Sequence, residues 1–265
     1  MSYQKIAIIG GGNLGAAIAQ GLLKSGFSQA ADITVTKRNT TTLAALQRQG
    51  VQITSDNAAA IQGADVVLVA LKPYNVREIL TEFKAAFNSR QLIISVVTGV
   101  FIDELEAIVG HGLPVFRAMP NTAIAIEESM TCICQKNASP EQVNWVTSLF
   151  NTVGVAVNIE EKLMDAATVL GACGIAYALR FIRANIQGGI EIGFDVRTAN
   201  LIAAQTIKGA AELLIRGGRH PEEEIDKVTT PKGCTIVGLN EMEHQGFSSS
   251  LIKGIMASYD KIITG

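Results

Sequence analysis

A glycine loop that follows a strand constrains this chain more than any other feature. Lys5-Ile-Ala-Ile-Ile9 reads as a buried strand and runs directly into Gly10-Gly11-Gly12-Asn13-Leu14-Gly15. Gly10, Gly12 and Gly15 fit G-x-G-x-x-G. In that pattern the first glycine makes a tight turn, the second lets the backbone approach a pyrophosphate, and the third lets a helix pack on the strand. The pyrophosphate then lies at a helix N-terminus, here opened by Asn13 and Leu14, where free N–H groups and the helix dipole favour negative charge. A tight turn without a ligand is the alternative. The position at the first βα junction of an alternating series favours a dinucleotide.

The alternation continues through about residue 158. Strands are predicted at Ile6–Ile9, Ile33–Thr36, Val51–Ile53, Val66–Ala70, Leu92–Val97, Val115–Arg117, Met130–Cys134 and Val155–Val157. Helical patterns lie between them at Leu14–Lys24, Thr42–Gln49, Val76–Phe87, Ile102–Val109 and Pro140–Phe150. Repeated βαβ units mean a mostly parallel sheet in an α/β fold of Rossmann type. After Glu160 β-branched alternation disappears, and Leu163–Gly188, Val196–Arg216, Glu222–Val228, Thr235–Gln245 and Phe247–Ile263 all favour helix. The expected organisation is a dinucleotide-binding domain over 1–158 and an all-helical domain over 159–265.

The turn after the second strand selects the cofactor. An NAD site places a carboxylate there for the ribose 2′-hydroxyl, whereas this chain has Thr36-Lys37-Arg38-Asn39. Arg38 can fork onto a 2′-phosphate, with Lys37 as a second charge and Thr36 or Asn39 as neutral donors. NADPH is therefore favoured, with NADH as the alternative; a solvated charged turn is the bland reading. Three further loops share the carboxyl edge of the sheet: Ala70-Leu71-Lys72-Pro73, Val97-Thr98-Gly99 and Arg117-Ala118-Met119-Pro120-Asn121. The cofactor set read from this edge is Gly10, Gly12, Asn13, Leu14, Gly15, Lys37, Arg38, Asn57, Ala70, Leu71, Lys72, Pro73, Thr98 and Met119. Asn121 supplies an amide able to hold a carboxamide or another loop, and is placed with the substrate.

Catalytic acids are scarce. No histidine sits at a strand end, and no lysine occurs between Leu163 and Ile207. Hydride addition to an already protonated C=N bond needs no strong protein acid, only orientation and a grip on the substituents. The grip is sought at Asp226–Thr235, where Thr230 fits an N-cap and Pro231 the first helical position. The amides of Lys232, Gly233 and Cys234 would then take a carboxylate, and Thr235 would hydrogen-bond a ring nitrogen. An ordinary helix start is the other reading.

A net charge of −2 argues against nucleic acid or an acidic membrane as partner, and the longest uncharged stretch of the C-terminal half, Ala166–Leu179, is too short to span a bilayer. No signal peptide precedes the first strand, and four cysteines make no disulfide framework, so the cytoplasm is expected. Cys132 and Cys134 share a strand face and read as core or partly buried thiols; no metal site is expected. With 48% hydrophobic and 17% charged residues, the chain is expected to hide apolar surface in an obligate oligomer.

Over essentially its whole length the chain resembles Δ1-pyrroline-5-carboxylate reductases. The early glycine loop, Leu71-Lys72-Pro73, Arg117-Ala118-Met119-Pro120-Asn121-Thr122 and Asp226–Thr235 carry the likeness. The resemblance implies NAD(P)H-dependent reduction of an imino acid to L-proline, the last step of proline biosynthesis. It also implies a dimer built from intertwined C-terminal helices, often assembled into decamers, with Thr235 as the catalytic contact to the ring nitrogen. Two departures stand out. Where the family usually reads Pro-Gly-Gly, this chain has Pro231-Lys232-Gly233, and Lys232 is expected to take helical φ. Where it usually reads Gly-Pro-Ala-Tyr, this chain has Gly174-Ile175-Ala176-Tyr177, which restores a helix N–H and is expected to remove a kink. The rivals are a reductase of another cyclic imino acid, a 3-hydroxyacid dehydrogenase and an NADP-sensing protein without turnover.

Overall fold

The computed structural model describes residues 3–264. The chain forms two compact units, one ending at Cys173 and the other beginning at Gly174.

The first unit is built on an eight-stranded sheet ordered β3-β2-β1-β4-β5-β6-β7-β8. Its strands are β1 Ile6–Ile9, β2 Ile33–Thr36, β3 Gln52–Thr54, β4 Val66–Val69, β5 Leu92–Ser95, β6 Val115–Met119, β7 Ser129–Lys136 and β8 Gly154–Asn158. Only the β6–β7 pairing is antiparallel. Strands β1, β4 and β5 are buried at every residue, as a parallel strand covered on both faces must be, so they read as unbroken apolar runs. On one face Ile8, Val35, Leu68 and Phe116 meet α1 (Asn13–Lys24), α2 (Ala44–Arg48) and α6 (Pro140–Asn151). On the other, Ile9, Val67, Ile93 and Val115 meet α3 (Asn57–Gln62), α4 (Pro73–Glu82) and α5 (Ile102–Val109). Cys134 belongs to this second face, its thiol pushed up to about 11 by burial, and Cys132 is half-buried beside it.

Most expected elements recur within a residue or two, and five differ in extent or kind. Helix α3 was not expected; Asp56 caps it by accepting from the Ala59 N–H at 3.0 Å. The stretch predicted at Val76–Phe87 starts earlier, because Pro73 provides the first helical position, and its end is a separate 3-10 turn, Lys84–Ala86. Strand β6 runs on to Met119, which places Arg117 inside the sheet, and β7 extends both ways from Met130–Cys134. The run predicted as one helix from Leu163 is a 3-10 turn at Glu161–Leu163, α7 (Met164–Ala167), a π-turn at Thr168–Cys173, and α8 (Gly174–Glu191). The kink that Ile175 was expected to remove is thus replaced by a π-turn just upstream. Met164, Thr168 and Val169 are buried, so this stretch belongs with the sheet.

Two charged clusters fasten the first unit. Arg117 is 1% exposed, donates through Nη1 to Glu161 Oε1 at 2.8 Å and lies 4.9 Å from the Phe101 ring centre. The same Glu161 oxygen accepts from the Ile102 N–H at 2.8 Å, capping α5 from 59 residues away. Lys136 bridges Asp103 and Glu106, and Glu106 also accepts from Gly112 and Asn137. These donors hold the Glu106 carboxyl far below the usual range, at about 2, led by the Lys136 ammonium.

The second unit continues from α8 into α9 (Val196–Gly217), α10 (Pro221–Lys227), α11 (Cys234–His244) and α12 (Phe247–Thr264). Asp195 caps α9, accepting from the Arg197 and Thr198 amides, and Phe181 meets Phe247 at 5.8 Å between ring centres. Tyr177 and Ser258 share a hydroxyl hydrogen bond of 2.6 Å. Large apolar side chains including Leu201, Ile202, Ile215 and Ile252 are exposed. The continuous helical run Glu161–Glu191, 31 residues, is long and apolar enough by length and composition to cross a membrane. The uncharged stretch Ala166–Leu179, too short to span a bilayer, is the middle of this longer run, bounded by Asp165 and Arg180.

Candidate active site

The glycine turn follows β1 beside the end of β4, where the strand order reverses and open α/β sheets bind their ligands. Gly10 has φ +111°, and a Cβ there would lie 2.4 Å from the Ala70 carbonyl oxygen. At Gly15 a Cβ would lie 2.1 Å from the Gly10 carbonyl oxygen. Both positions therefore exclude a side chain. A Cβ at Gly12 would meet nothing within 4 Å, so the turn is closed on the protein side and open where a ligand approaches. Gly12 is the N-cap of α1, which has no side-chain cap and no acidic residue in its first turn. Asn13 and Leu14 thus begin a helix whose leading N–H groups suit a pyrophosphate, and the cradle fits a dinucleotide.

Strand β2 supports the turn in a way the sequence did not reveal. Thr36 is buried; its carbonyl accepts from Gly11 N–H at 2.7 Å and its hydroxyl from Gly10 N–H at 3.3 Å. The hydroxyl predicted as a phosphate donor also holds the glycine loop as an acceptor, which leaves its own proton free. Asn39 caps the next turn, its Oδ1 accepting from Thr41. Lys37 and Arg38 follow the strand, Arg38 exposed, and neither has a carboxylate partner among the described residues.

The remaining cofactor residues end neighbouring strands or begin the helices after them. Asn57 is the first residue of α3. Ala70 N–H donates to Ile9 at 2.8 Å, Lys72 is the N-cap of α4 and Pro73 its first residue, with Leu71 half-buried between. The Thr98 hydroxyl points to Met119 Sδ at 3.8 Å, which joins the ends of β5 and β6; Met119 is itself buried. Asn121, placed with the substrate as an amide able to hold a carboxamide or another loop, here holds another loop. Its Oδ1 accepts from Ala123 N–H at 3.0 Å, its Nδ2 donates to the Gly171 carbonyl at 3.2 Å, and it is 8% exposed. The amide holds another part of the chain, because burial leaves it no other way to satisfy both ends.

In the second unit the Asp226–Thr235 segment is corrected in detail. The helix starts at Cys234 with Gly233 as N-cap, three residues later than expected. Thr230-Pro231-Lys232-Gly233 is a turn closed by Gly233 N–H to the Thr230 carbonyl at 2.9 Å. Lys232 has φ +60°, the left-handed value the third position of a type II turn demands, not the helical φ expected. A Cβ at Gly233 would lie 2.5 Å from Thr230 Oγ1, so a side chain there would force the Thr230 hydroxyl to move. Helix α11 therefore also opens without a side-chain cap or an acidic first turn, with exposed Cys234 and half-buried Thr235 leading it.

A fold and a glycine turn of this kind define a nucleotide-dependent oxidoreductase of Rossmann type. Residues 5–99 match the family described as NADP oxidoreductase, coenzyme F420-dependent, and residues 161–264 match pyrroline-5-carboxylate reductase dimerisation. Pyrroline-5-carboxylate reductase 2 of Dictyostelium discoideum is 40% identical over 97% of this chain and 92% of its own length. The chain belongs to the pyrroline-5-carboxylate reductase family. Pyrroline-5-carboxylate reductase 1 of the same organism is 44% identical over 97% of this chain, which spans only 49% of that relative's length. A crystal structure of Plasmodium falciparum pyrroline carboxylate reductase with NADP bound is 27% identical, with a TM-score of 0.88 over 99% of this chain and 98% of that one.

Proposed function

We propose that this protein reduces Δ1-pyrroline-5-carboxylate to L-proline, the last step of proline biosynthesis, with NADPH as reductant and NADH as a poorer substitute. The observation that carries the reading is near-full-length identity to relatives of that name, joined to a glycine turn that fits a dinucleotide. NADPH, when bound, supplies hydride to the imine carbon. The chain's own residues bind and orient. Gly12, Asn13 and Leu14 offer amides to the pyrophosphate, and Lys37 and Arg38 form charge-assisted hydrogen bonds to the 2′-phosphate. Asn57, Ala70, Leu71, Lys72 and Pro73 line the same edge, and Thr98 with Met119 supports the nicotinamide end. The leading amides of α11 hold the substrate carboxylate beside Lys232, Gly233 and Cys234, while the Thr235 hydroxyl meets the ring nitrogen. The iminium already carries its proton, so these groups need only fix its distance and angle to the reductant.

We assign the exposed apolar faces from α8 onward, including the Gly174–Glu191 part of the apolar run, to contact with a second copy rather than to lipid, since the matched dimerisation family spans residues 161–264. Assembly of such dimers into decamers, a cytoplasmic location and the absence of nucleic-acid or membrane partners belong to the same proposal. Four free cysteines support a reducing compartment. One assay tests the central claim. Purified protein with pyrroline-5-carboxylate should consume NADPH absorbance and yield proline in equal amount. Turnover only with a six-membered ring, a hydroxyacid, or nothing would select one of the rivals.

A further inference from the structure

The π-turn Thr168–Cys173 and the buried amide of Asn121 have no part in the binding scheme above, yet they are joined. A π-turn adds one residue to a helical turn and disturbs the regular carbonyl pairing, so something must hold it open. At its start the Thr168 hydroxyl donates to the Met164 carbonyl at 2.8 Å, and Thr168 and Val169 are buried. In its middle the Gly171 carbonyl accepts from Asn121 Nδ2 at 3.2 Å. Asn121 cannot swing away. Its N–H donates to Ser129 Oγ at 3.0 Å and its Oδ1 accepts from Ala123 at 3.0 Å. Two residues upstream, Met119 receives the Thr98 hydroxyl at 3.8 Å, so the end of β6 fixes both the loop after β5 and the π-turn.

We infer that Asn121 is a positioning residue for hydride transfer, holding the π-turn by its Gly171 carbonyl against the end of β6 so that the turn closes the nicotinamide end of the cofactor edge. The inference rests on the reductase reading. It differs from a packing role, because a loosened turn would disturb the alignment of the reacting partners while leaving the glycine turn and the phosphate contacts intact.

Asn121→Asp tests it. The aspartate keeps an oxygen for the Ala123 amide but replaces the donor by a second oxygen, which repels the Gly171 carbonyl. Turnover of pyrroline-5-carboxylate should fall about tenfold or more, with NADPH Kd from fluorescence titration within about threefold of the original. The kinetic isotope effect with NADPH deuterated at C4 should rise as hydride transfer becomes slower. A kcat and KM within about twofold, with only a lower Tm, would make Asn121 a packing residue and overturn the inference. Should that variant fail to fold, Ile175→Pro decides. A proline there removes the N–H that would serve the Gly171 carbonyl four residues back in a regular helix. With Asn121 as the partner of that carbonyl, kcat should stay within about threefold; a loss beyond about tenfold would show that Ile175 holds it instead, against the inference. No turnover in the unaltered protein would instead overturn the reductase reading.

Discussion

In the sheet unit Ile8, Leu68 and Phe116 are fully enclosed, whereas among the described residues from Gly174 onward only Ala199 and Ala203 are buried and Leu201, Ile215 and Ile252 remain exposed. The first region satisfies its hydrophobic pattern within one chain. The second has amphipathic helices that enclose little apolar surface among its described residues, so its apolar faces require a second chain. The difference predicts that stability depends on protein concentration in the helical unit and not in the sheet unit.

The largest expected effect comes from charging the uncovered faces. Leu201→Asp combined with Ile252→Asp should abolish the dimer in light scattering and cut activity by roughly two orders of magnitude or more. Full activity from a monomer would break the comparison outright. Phe116→Ala should cost about 3–5 kcal/mol through a cavity in the sheet core, read as a lower denaturant midpoint that does not move with protein concentration. Arg38→Ala should raise KM for NADPH by roughly 10–100-fold, the scale of a charge-assisted contact, and leave KM for NADH nearly unchanged. Equal changes would remove Arg38 from the phosphate site.

Two smaller effects sharpen the contrast. Glu106 is held at about 2 in the folded sheet unit, below its unfolded value, so its contribution is present above an unfolded pKa of about 4.3 and lost as pH falls from there towards 2. Tm measured from pH 5 to pH 2 should therefore fall less steeply in Glu106→Gln, which starts from a lower value. In the helical unit Lys232→Gly should relieve the left-handed strain at φ +60° and raise stability by up to about 1 kcal/mol. A lower Tm in that variant would mean that the lysine side chain makes a stabilising contact.

The sheet was legible because its strands carry their burial in their composition: β1 and β2 fall where the sequence places them. Helix α3 was not, since Asn57–Gln62 is too short to show a helical period and only its Asp56 cap and Gly63 mark it. The glycine cradle was readable, as close approach to Ala70 and Gly10 leaves no other residue possible. The Thr230–Gly233 turn was misread because Thr-Pro opens a helix and a type II turn equally well, and only the approach of Gly233 to Thr230 separates them. The roles of Thr36 and Asn121 depend on partners 26 and 50 residues distant, which no local pattern encodes.

The clasp between Arg117 and Glu161 bears on how this protein can be divided. A fragment cut at residue 158, where composition changes, would keep the guanidinium inside the sheet and discard the carboxylate that neutralises it, together with Met164 from the same interior. An orphaned internal cation of that kind costs about 3–5 kcal/mol, a large share of what a small domain has to spare. Anyone seeking a minimal nucleotide-binding module, or grafting this one onto another catalytic partner, should therefore carry the chain through Cys173, where the first compact unit ends.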